Sequence, residues 1–530
     1  MRNLDKRGQT YFIQPIELAD LPFNRALYVC ICFTSTIAIM NVFWKPCTFR
    51  MAGLWIAAWI GWGGMAQQIR FSEDIPFSYQ AHRVERVGVW DAHYYVVRSN
   101  FWRTSHEVDL ISRRTLRRIR SFEIAWPSKI LDFRPVDSVL RVWGVEIAEG
   151  KEWLVVGTYD LKGHLQDQDT LWQHEYVSWG LRSNYRIAPL PDPQEDAVFV
   201  TFPARLRKGD TLHIGIFSNR TLQWQGKNAW EWSQAGSFDL QAYRDDVIVG
   251  RFLQSRIVQR SQPYLTYIRI PQSPILVPLF SDSFRMVQGK PTWPWRPDYS
   301  AGVGWLAEND LFPSRRIGYG WIPIGDKHYL PHSVFFYRWP DELVTAIEGA
   351  DAKRNYLENV SLLQLLSRKD GGAIFLMEIN YKRTEVFQQT SAFGHVQTNR
   401  RTYYFSDEVI LFPVDSVGKM QWFRVLLKHQ ASQEDDALFT SVGYMVQSQR
   451  VIILFNNMHQ RYWNSEVWEV DVWGHTHRQI LFTQKERPLD VSWRVGRQID
   501  YTTFVAPAYF QRGDKYCLVE LVFPIDRSTR

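Results

Sequence analysis

Apolar and polar residues alternate along most of this chain in short runs that end at turns. An apolar run ends in Asp or a small polar residue, a turn that usually contains Gly follows, and a second apolar run begins. The clearest copies lie at 155–165, 411–422 and 467–475, with weaker copies at 108–110 and 214–222. Alternation is typical of half-buried strands, while Asp and Gly supply the acceptor and the positive φ of a tight hairpin. The pattern predicts β-hairpins throughout.

The turns recur at a nearly constant spacing. Asp109 and Asp160 are 51 residues apart, and Asp415 and Asp471 are 56 apart. A period near 50 with several strands in each period is typical of propeller blades. At roughly 55–60 residues per blade, residues 67–530 provide about eight blades, or seven if one segment is an insertion. We therefore predict an all-β fold, a seven- or eight-bladed β-propeller that folds as one domain.

Residues 281–340 differ in composition, because Pro, Gly and Trp crowd together there. Such a segment is not regular strand throughout, so it is either a long loop insertion or several short strands with tight corners. Long loops often carry binding sites, and exposed aromatic rings provide stacking platforms for sugars or peptides. The alternative is a loop that caps the propeller and buries its own aromatic rings. The candidate ligand-binding residues are Trp293, Trp295, Arg296, Asp298, Trp305 and Trp321.

Helical signals are rare after residue 66. Residues 341–347 predict a short helix, with Asp341 and Glu342 in its first turn. The leucines at 362–366 fit either a second helix or a buried strand.

The segment 1–66 is a separate region with two interpretations. An uncharged apolar stretch at 26–44 is followed by the basic segment 45–50 and a second apolar stretch at 51–66. The region is either a helical hairpin in the membrane or a signal peptide at 40–66 that is cleaved before Gln67. We favour the signal peptide, because the second stretch is shorter than the roughly 20 residues that a membrane-spanning helix needs. The protein is then exported to the periplasm or the cell surface; otherwise it is anchored in the membrane.

Charge argues against nucleic-acid binding. The net charge is +7, of which the segment 1–66 carries +3, so +4 remains on the segment 67–530. That density is too low to predict nucleic acid as a partner. The arginines between 113 and 120 form a local cluster that is typical of a solvated strand edge guarded by charge.

The sequence lacks the common catalytic motifs. It has no nucleophile elbow, no phosphate-binding loop and no zinc-protease helix motif. His475 and His477 lack the further ligands that a metal requires, so we expect neither metal nor cofactor. Cys517, the one cysteine after residue 66, is predicted to be a buried strand residue.

Carboxylates leave one enzymatic alternative open. A glycosidase needs two facing carboxylates, and Glu378 at a strand end is one candidate. Its partner is Asp298, Asp407 or Glu408. Because most Asp and Glu residues of this chain lie at turns, where capping explains them, a non-enzymatic protein is favoured.

Residues 370–457 carry a resemblance to known proteins. Asp370-Gly371-Gly372 precedes a strand that ends at Glu378; a polar excursion, the strand 409–415 and the segment Leu454–Asn457 follow. This stretch resembles uncharacterised exported β-propeller-like proteins of Gram-negative bacteria. The resemblance implies export and β architecture, and it implies no activity.

These observations favour a non-catalytic binding or scaffold protein of the cell envelope. Its expected partner is an envelope protein or a glycan, with membrane contact through residues 26–66 if that region is retained. The alternatives are a carbohydrate-active hydrolase with paired carboxylates and a membrane-anchored subunit of an envelope assembly.

Overall fold

The computed structural model of the chain consists almost entirely of β-strands, as the alternation predicts. The residues it describes belong to one compact unit, Gln67–Arg530. They are 68–77, 82–100, 103–124, 126–127, 129–175, 185–187, 197–203, 205–206, 209–231, 236–244, 247–254, 262–269, 275–278, 285–292, 300–307, 315–324, 335–349, 356–368, 370–390, 396–459, 462–511 and 513–524.

The first half of the described chain contributes nineteen strands. They are β1 (Gln68–Phe71), β2 (Ile75–Pro76), β3 (His82–Trp90), β4 (His93–Asn100), β5 (His106–Ser112), β6 (Arg118–Ile124), β7 (Lys129–Val136), β8 (Val139–Ala148), β9 (Lys151–Asp160), β10 (Leu165–Glu175), β11 (Arg186–Ile187), β12 (Ala197–Phe202), β13 (Arg205–Leu206), β14 (Thr211–Ser218), β15 (Trp224–Glu231), β16 (Gly236–Arg244), β17 (Val247–Gln254), β18 (Gln262–Arg269) and β19 (Ile275–Pro278).

The second half contributes one helix, α1 (Asp341–Glu348), and the remaining strands. They are β20 (Arg285–Thr292), β21 (Ser300–Ala307), β22 (Arg315–Arg316), β23 (Gly318–Ile324), β24 (Phe335–Arg338), β25 (Leu357–Glu358), β26 (Val360–Ser367), β27 (Ala373–Thr390), β28 (Val396–Val414), β29 (Arg424–Leu426), β30 (Gln430–Gln433), β31 (Gly443–Val446), β32 (Arg450–His459), β33 (Tyr462–Asp471), β34 (Thr476–Thr483), β35 (Leu489–Val491), β36 (Arg497–Gln498), β37 (Thr503–Phe510) and β38 (Lys515–Val522).

Among the described residues, these strands form eight sheets of four or more strands, which follow one another along the chain. Neighbouring strands within each sheet are antiparallel. In order, they are sheet 1 (β3-β4-β5-β6), sheet 2 (β7-β8-β9-β10), sheet 3 (β11-β12-β14-β15), sheet 4 (β13-β16-β17-β18-β19), sheet 5 (β20-β21-β23-β24), sheet 6 (β26-β27-β28-β29, with β30 also on β28), sheet 7 (β31-β32-β33-β34) and sheet 8 (β35-β37-β38-β1, with β36 on β37 and β2 on β38).

The buried apolar residues lie between consecutive sheets. Leu454 of sheet 7 packs in one cluster with Val519 of sheet 8, and Tyr516 of sheet 8 packs in another with Val87 of sheet 1. Equivalent clusters join sheets 1 and 2, 2 and 3, 5 and 6, and 6 and 7. Since these sheets bury their faces against their neighbours, they stack as the blades of a propeller do.

Sheet 8 joins the two ends of the described chain. Its inner strands come from the C-terminal segment, while its outermost strand, β1, is the first described strand. In this pairing Arg70 lies opposite Glu520. In β-propellers, pairing of this kind between the first and last strands links the two ends of the domain.

The recurrent turn of the sequence joins the third and fourth strands of a blade. In sheets 2, 6 and 7, one carboxylate oxygen accepts hydrogen bonds from backbone N–H groups two and four residues later. A glycine at φ between +82° and +89° completes each turn. These turns are Asp160–Gly163, Asp415–Gly418 and Asp471–Gly474. The predicted hairpins at 155–165, 411–422 and 467–475 are confirmed, with one such turn in each of these three sheets.

Serine replaces aspartate at this turn in two other sheets. Ser112 in sheet 1 and Ser218 in sheet 3 accept a hydrogen bond from the N–H group three residues later. Leu116 and Leu222 then adopt the left-handed conformation, at φ +57° and +58°. The weak copy at 108–110 is therefore strand β5, and its turn begins at Ser112.

Residues 281–340 hold sheet 5, which is the second of the two predicted alternatives. One glycine in this segment, Gly318, allows close packing between two strands. A Cβ atom on Gly318 would lie 2.0 Å from the Tyr337 carbonyl oxygen of the neighbouring strand. Only glycine allows the two backbones to approach so closely. Because glycine is uncommon in strand interiors, a strand that contains it is easily predicted as a loop.

Other sequence predictions can be checked directly. The helix at 341–347 is confirmed as α1, and the leucines at 362–366 lie in strand β26. Cys517 is buried in β38, and burial raises the pKa of its thiol to about 12. The basic cluster lies at the exposed outer strand of sheet 1, β6, and the turn before it, as expected of a charged edge. Residues 1–66 lie outside the described residues.

None of the helices within the described residues has the length and apolar character needed to span a membrane.

A buried carboxyl group in sheet 8 gives a pH-dependent prediction. Burial raises the pKa of Asp490 to about 6, although Gln484 donates a hydrogen bond to it at 3.0 Å. The unfolded chain has a pKa near 3.9, so the folded state holds this proton more tightly. The contribution to stability is therefore fully present below about pH 4 and is lost as the pH rises through 6.

We expect Asp490→Asn to raise the free energy of unfolding at pH 7.5 by about 1–3 kcal/mol, since the amide carries no charge to desolvate. At pH 4.5 the gain should fall to less than half. Urea denaturation at both pH values measures the two gains. An equal gain at both would contradict titration of this carboxyl group.

Candidate functional site

The structure separates the residues predicted to bind a ligand. Trp293, Trp295, Arg296 and Asp298 lie outside the described residues. Trp305 belongs to strand β21, where its backbone pairs with Tyr319.

For Trp321 the prediction is corrected. Its side chain is fully buried in the core that sheets 5 and 6 share, and its indole N–H donates to the Ser416 carbonyl oxygen at 3.3 Å. Since its ring has no exposed surface, it stabilises the core and offers nothing to a ligand.

Glu378, the carboxylate proposed for glycoside hydrolysis, is committed to a buried ion pair. Its side chain and that of Lys428 are both 0 % exposed, and the ammonium donates to the carboxylate. The ammonium also donates to Ser406 Oγ at 2.6 Å and to Gln430 Oε1 at 2.9 Å. Burial lowers the pKa of Lys428, and Glu378 opposes this shift. A carboxylate neutralised in this way and closed to solvent has no access to a glycosidic bond.

Asp407 is engaged as well. It contacts His429 Nδ1 at 2.8 Å, and this hydrogen bond raises the pKa of the imidazole. Two of the carboxylates proposed for hydrolysis therefore have structural partners, and neither faces the other across a cleft.

The ion pair lies at the base of a long β-hairpin. Strands β27 and β28 contain 18 and 19 residues, whereas the first strand of the same sheet, β26, contains 8. Pairing between them continues from Asn380↔Ser406 to Thr390↔Val396, beyond the last residue of β27 that pairs with β26, Ile379. We call residues 380–406 the arm. Lys428 binds the two strands where the arm begins, because Glu378 is on β27 and Ser406 is on β28.

Local sequence explains why the arm is strand. Thr, Val, Phe and Tyr recur along it, and these residues favour extended backbone. Its base is supported by β30, which pairs with Tyr403–Ser406, and by a 3.0 Å hydrogen bond from the Tyr404 hydroxyl to Asp436. Beyond Thr402 no further described strand pairs with it.

On one face of the arm, the side chains contact one another. Tyr381 stacks on Phe405 with ring centroids 4.9 Å apart, and Arg383 forms an ion pair with Glu385 at 3.2 Å. Arg401 lies over Phe387 at 5.3 Å. We call this the paired face, and its basic groups already have internal partners.

The opposite face is basic and partly apolar. Cross-strand pairing places Lys382, Val386, Val396 and Arg400 on it, with threonines between them. Val386 is 61 % exposed and Val396 is 60 % exposed. Lys382 and Arg400 are exposed, and neither has an acidic partner among the described residues. We call this the basic face. Together the two faces carry four basic residues and one acidic residue, a net charge of +3 on residues 380–406.

Both edges of the arm are open among the described residues, but the open edge of β27, at 381–390, is longer than that of β28, at 396–401. Beyond Ile379, β27 pairs with β28 alone among the described strands, so its outer edge presents unpaired backbone N–H and C=O groups. A two-stranded hairpin without a third strand is marginally stable in water. The arm therefore offers what a strand-adding partner needs: an open edge beside a basic face with exposed valines.

The sequence pattern does not reveal the arm. Residues 379–402 have the composition of a polar excursion, because an exposed strand and a solvated loop have similar composition. The signal present in the sequence is the recurrence of strand-favouring residues at Tyr381, Thr384 and Val386, in a stretch from 379 to 390 that contains no Gly or Pro.

No protein-family model matches the sequence, and no curated protein matches it either.

Solved structures resemble the fold. The β-propeller domain of the Trilobed protease from Pyrococcus furiosus is 12% identical, with 77% of this chain and 97% of that chain covered and a TM-score of 0.35. A member of the DUF4221 family from Bacteroides vulgatus is 8% identical, with coverages of 87% and 99% and a TM-score of 0.29. An uncharacterised protein from Listeria monocytogenes is 5% identical, with coverages of 76% and 97% and a TM-score of 0.32.

Proposed function

We propose that this protein is a non-catalytic scaffold, an eight-bladed propeller that docks a partner protein on its arm. The partner contributes an extended acidic segment that adds to the open edge of β27. The observation that carries the proposal is the arm itself, whose basic face leaves Lys382 and Arg400 without acidic partners among the described residues.

The positive charge of the arm favours an acidic strand as its binding partner. Acidic side chains of an added strand would lie on the basic face, beside Lys382 and toward Arg400, and its apolar side chains would then lie on the paired face, beside Phe387. A second copy of this chain is disfavoured at the same edge, because two arms of net charge +3 repel each other. Main-chain hydrogen bonds along the edge would supply affinity, and the two basic residues would supply specificity.

The test uses a fluorescein-labelled 12-residue peptide of alternating glutamate and valine, with a lysine–valine peptide as its counterpart. Fluorescence anisotropy with the full chain should give saturable binding of the glutamate peptide and at least tenfold weaker binding of the lysine peptide. Lys382→Gln/Arg400→Gln should weaken binding of the glutamate peptide at least tenfold.

The matched control removes the same charge from the other face of the same arm. We expect Arg383→Gln/Arg401→Gln to change the affinity less than threefold, because those arginines already have partners on the paired face. If the two variants lose equal affinity for the glutamate peptide, net charge alone explains the binding and the proposal is wrong. An absence of saturable binding would also overturn it. Self-association that depends on the arm would identify a second copy as the occupant instead.

Export forms part of the proposal. The apolar segments before Gln67 support it through their length and the small residues Gly64 and Ala66. An envelope protein then becomes the expected partner. Intact mass and N-terminal sequencing of the protein from its native source test this, because a start at Gln67 agrees with export and a retained N-terminus contradicts cleavage.

A further inference from the structure

A cleft opens where the closing sheet meets the first sheet. Its volume is about 430 Å³, within the range of small-molecule sites. Sheet 8 contributes Arg70, Thr503 and Glu520 to one wall. The other wall comes from sheet 1 and its turns, with Ala92, Tyr94, Arg113 and Arg114.

Strand topology creates this cleft. In the other blades with the recurrent turn, a short hairpin joins the third strand to the fourth. In sheet 8 the third strand, β38, lies beside β1 from the other end of the chain, so no such hairpin connects them. The Asp-x-x-Gly or serine turn that occupies this position in its neighbours is missing from sheet 8, and the turn of sheet 1, at Arg113 and Arg114, borders the cleft instead.

The carboxylate in the cleft is already satisfied. Glu520 has a side chain only 3 % exposed, and it accepts from Arg70 Nε at 2.7 Å and from the Tyr94 hydroxyl at 2.5 Å. Arg70 is held further by a 2.9 Å hydrogen bond to the Arg113 carbonyl oxygen. These contacts make a rigid floor in which the glutamate charge is compensated.

The two remaining arginines supply an excess of positive charge. The lining contains three guanidinium groups and one carboxylate, and with Asp500 beside Arg113 the local net charge is +1. Arg113 lies over the Tyr94 ring at 5.6 Å and is 3.6 Å from Asp500, while Arg114 is exposed and has no ion pair among the described residues. Guanidinium groups bind planar or tetrahedral oxyanions through paired N–H donors.

We propose that the cleft binds a small molecule through a carboxylate or phosphate group held by Arg113 and Arg114. Because one wall belongs to the first and last strands, the bound molecule braces the junction between β1 and β38. This site is independent of the arm, and it survives if the arm binds nothing.

Thermal unfolding of the full chain at constant ionic strength tests the proposal with two probes, citrate for carboxylates and inorganic pyrophosphate for phosphates. The preferred probe should raise the midpoint saturably by about 3 °C. It should also slow backbone hydrogen exchange at 68–71, which form β1, because the bound probe stabilises the pairing of β1 with β38. The probe that produces both effects identifies the class of anion.

Arg113→Gln/Arg114→Gln should abolish both effects. The matched control, Arg117→Gln/Arg120→Gln, removes two charges from the same basic cluster but none from the cleft lining, and it should keep both effects. Equal loss in the two variants, or no saturable shift with either probe, would overturn the proposal.

Discussion

Lys428→Met is expected to lower the free energy of unfolding by about 3–5 kcal/mol. The substitution removes the ammonium and leaves the Glu378 carboxyl group closed to water without its counter-charge. It also strips Ser406 and Gln430 of their shared donor. Glu378→Leu should cost a similar amount, because it leaves the ammonium buried without its counter-charge. Urea denaturation measures both losses.

The double variant Glu378→Leu/Lys428→Met tests whether the single losses come from leaving one charge buried without its partner. Since no charge then remains buried, we expect its stability to lie within about 1 kcal/mol of the wild-type protein, far from the sum of the single losses. Lys382→Met on the exposed arm is the matched control and should change stability by less than about 0.5 kcal/mol. Single losses below about 1 kcal/mol would mean that the pair is hydrated in solution.

Shortening the arm is expected to abolish binding of the acidic peptide while the fold survives. Replacement of residues 385–401 by Asn-Gly joins Thr384 to Thr402, which are already cross-strand partners. An Asn-Gly pair closes a two-residue hairpin with little strain. The base of the arm, including the pairing of β30 with Tyr403–Ser406, remains in place.

Most of the deleted side chains are exposed, so the thermal midpoint should stay within about 2 °C of the wild-type value. Anisotropy titrations should show no saturable binding of the glutamate–valine peptide. A large fall in the thermal midpoint would mean that the arm stabilises the fold. Undiminished binding would mean that the peptide binds elsewhere on the protein.

The blade architecture could be predicted because its signals are local. Asp160, Asp415 and Asp471 close their turns with backbone groups two and four residues away, so their spacing directly reports the blade period. Alternation likewise identified the strands on either side of each turn. Sheet 5 was harder to recognise, because Gly318 serves strand packing in a segment whose composition is typical of loops.

The candidate site could not be predicted, because it depends on tertiary contacts. Glu378 and Lys428 are 50 residues apart, and nothing in either local sequence indicates that both are buried. The arm is defined by the difference in length between β26 and β27, which depends on where pairing stops. Trp321 shows the opposite error: an aromatic residue in a Pro- and Gly-rich segment suggested a binding loop, yet its ring fills the core.

Photo-cross-linking from the two strands of the arm tests the central claim most directly. Val386 on β27 and Val396 on β28 lie on the same face and are similarly exposed, so p-benzoylphenylalanine at each position samples a different distance from the open edge of β27. With the biotinylated glutamate–valine peptide, the scaffold account predicts strong cross-linking from position 386, little from position 396, and loss of the product in Lys382→Gln/Arg400→Gln. Equal cross-linking from both positions, or none from position 386, would contradict addition of the peptide to the edge of β27.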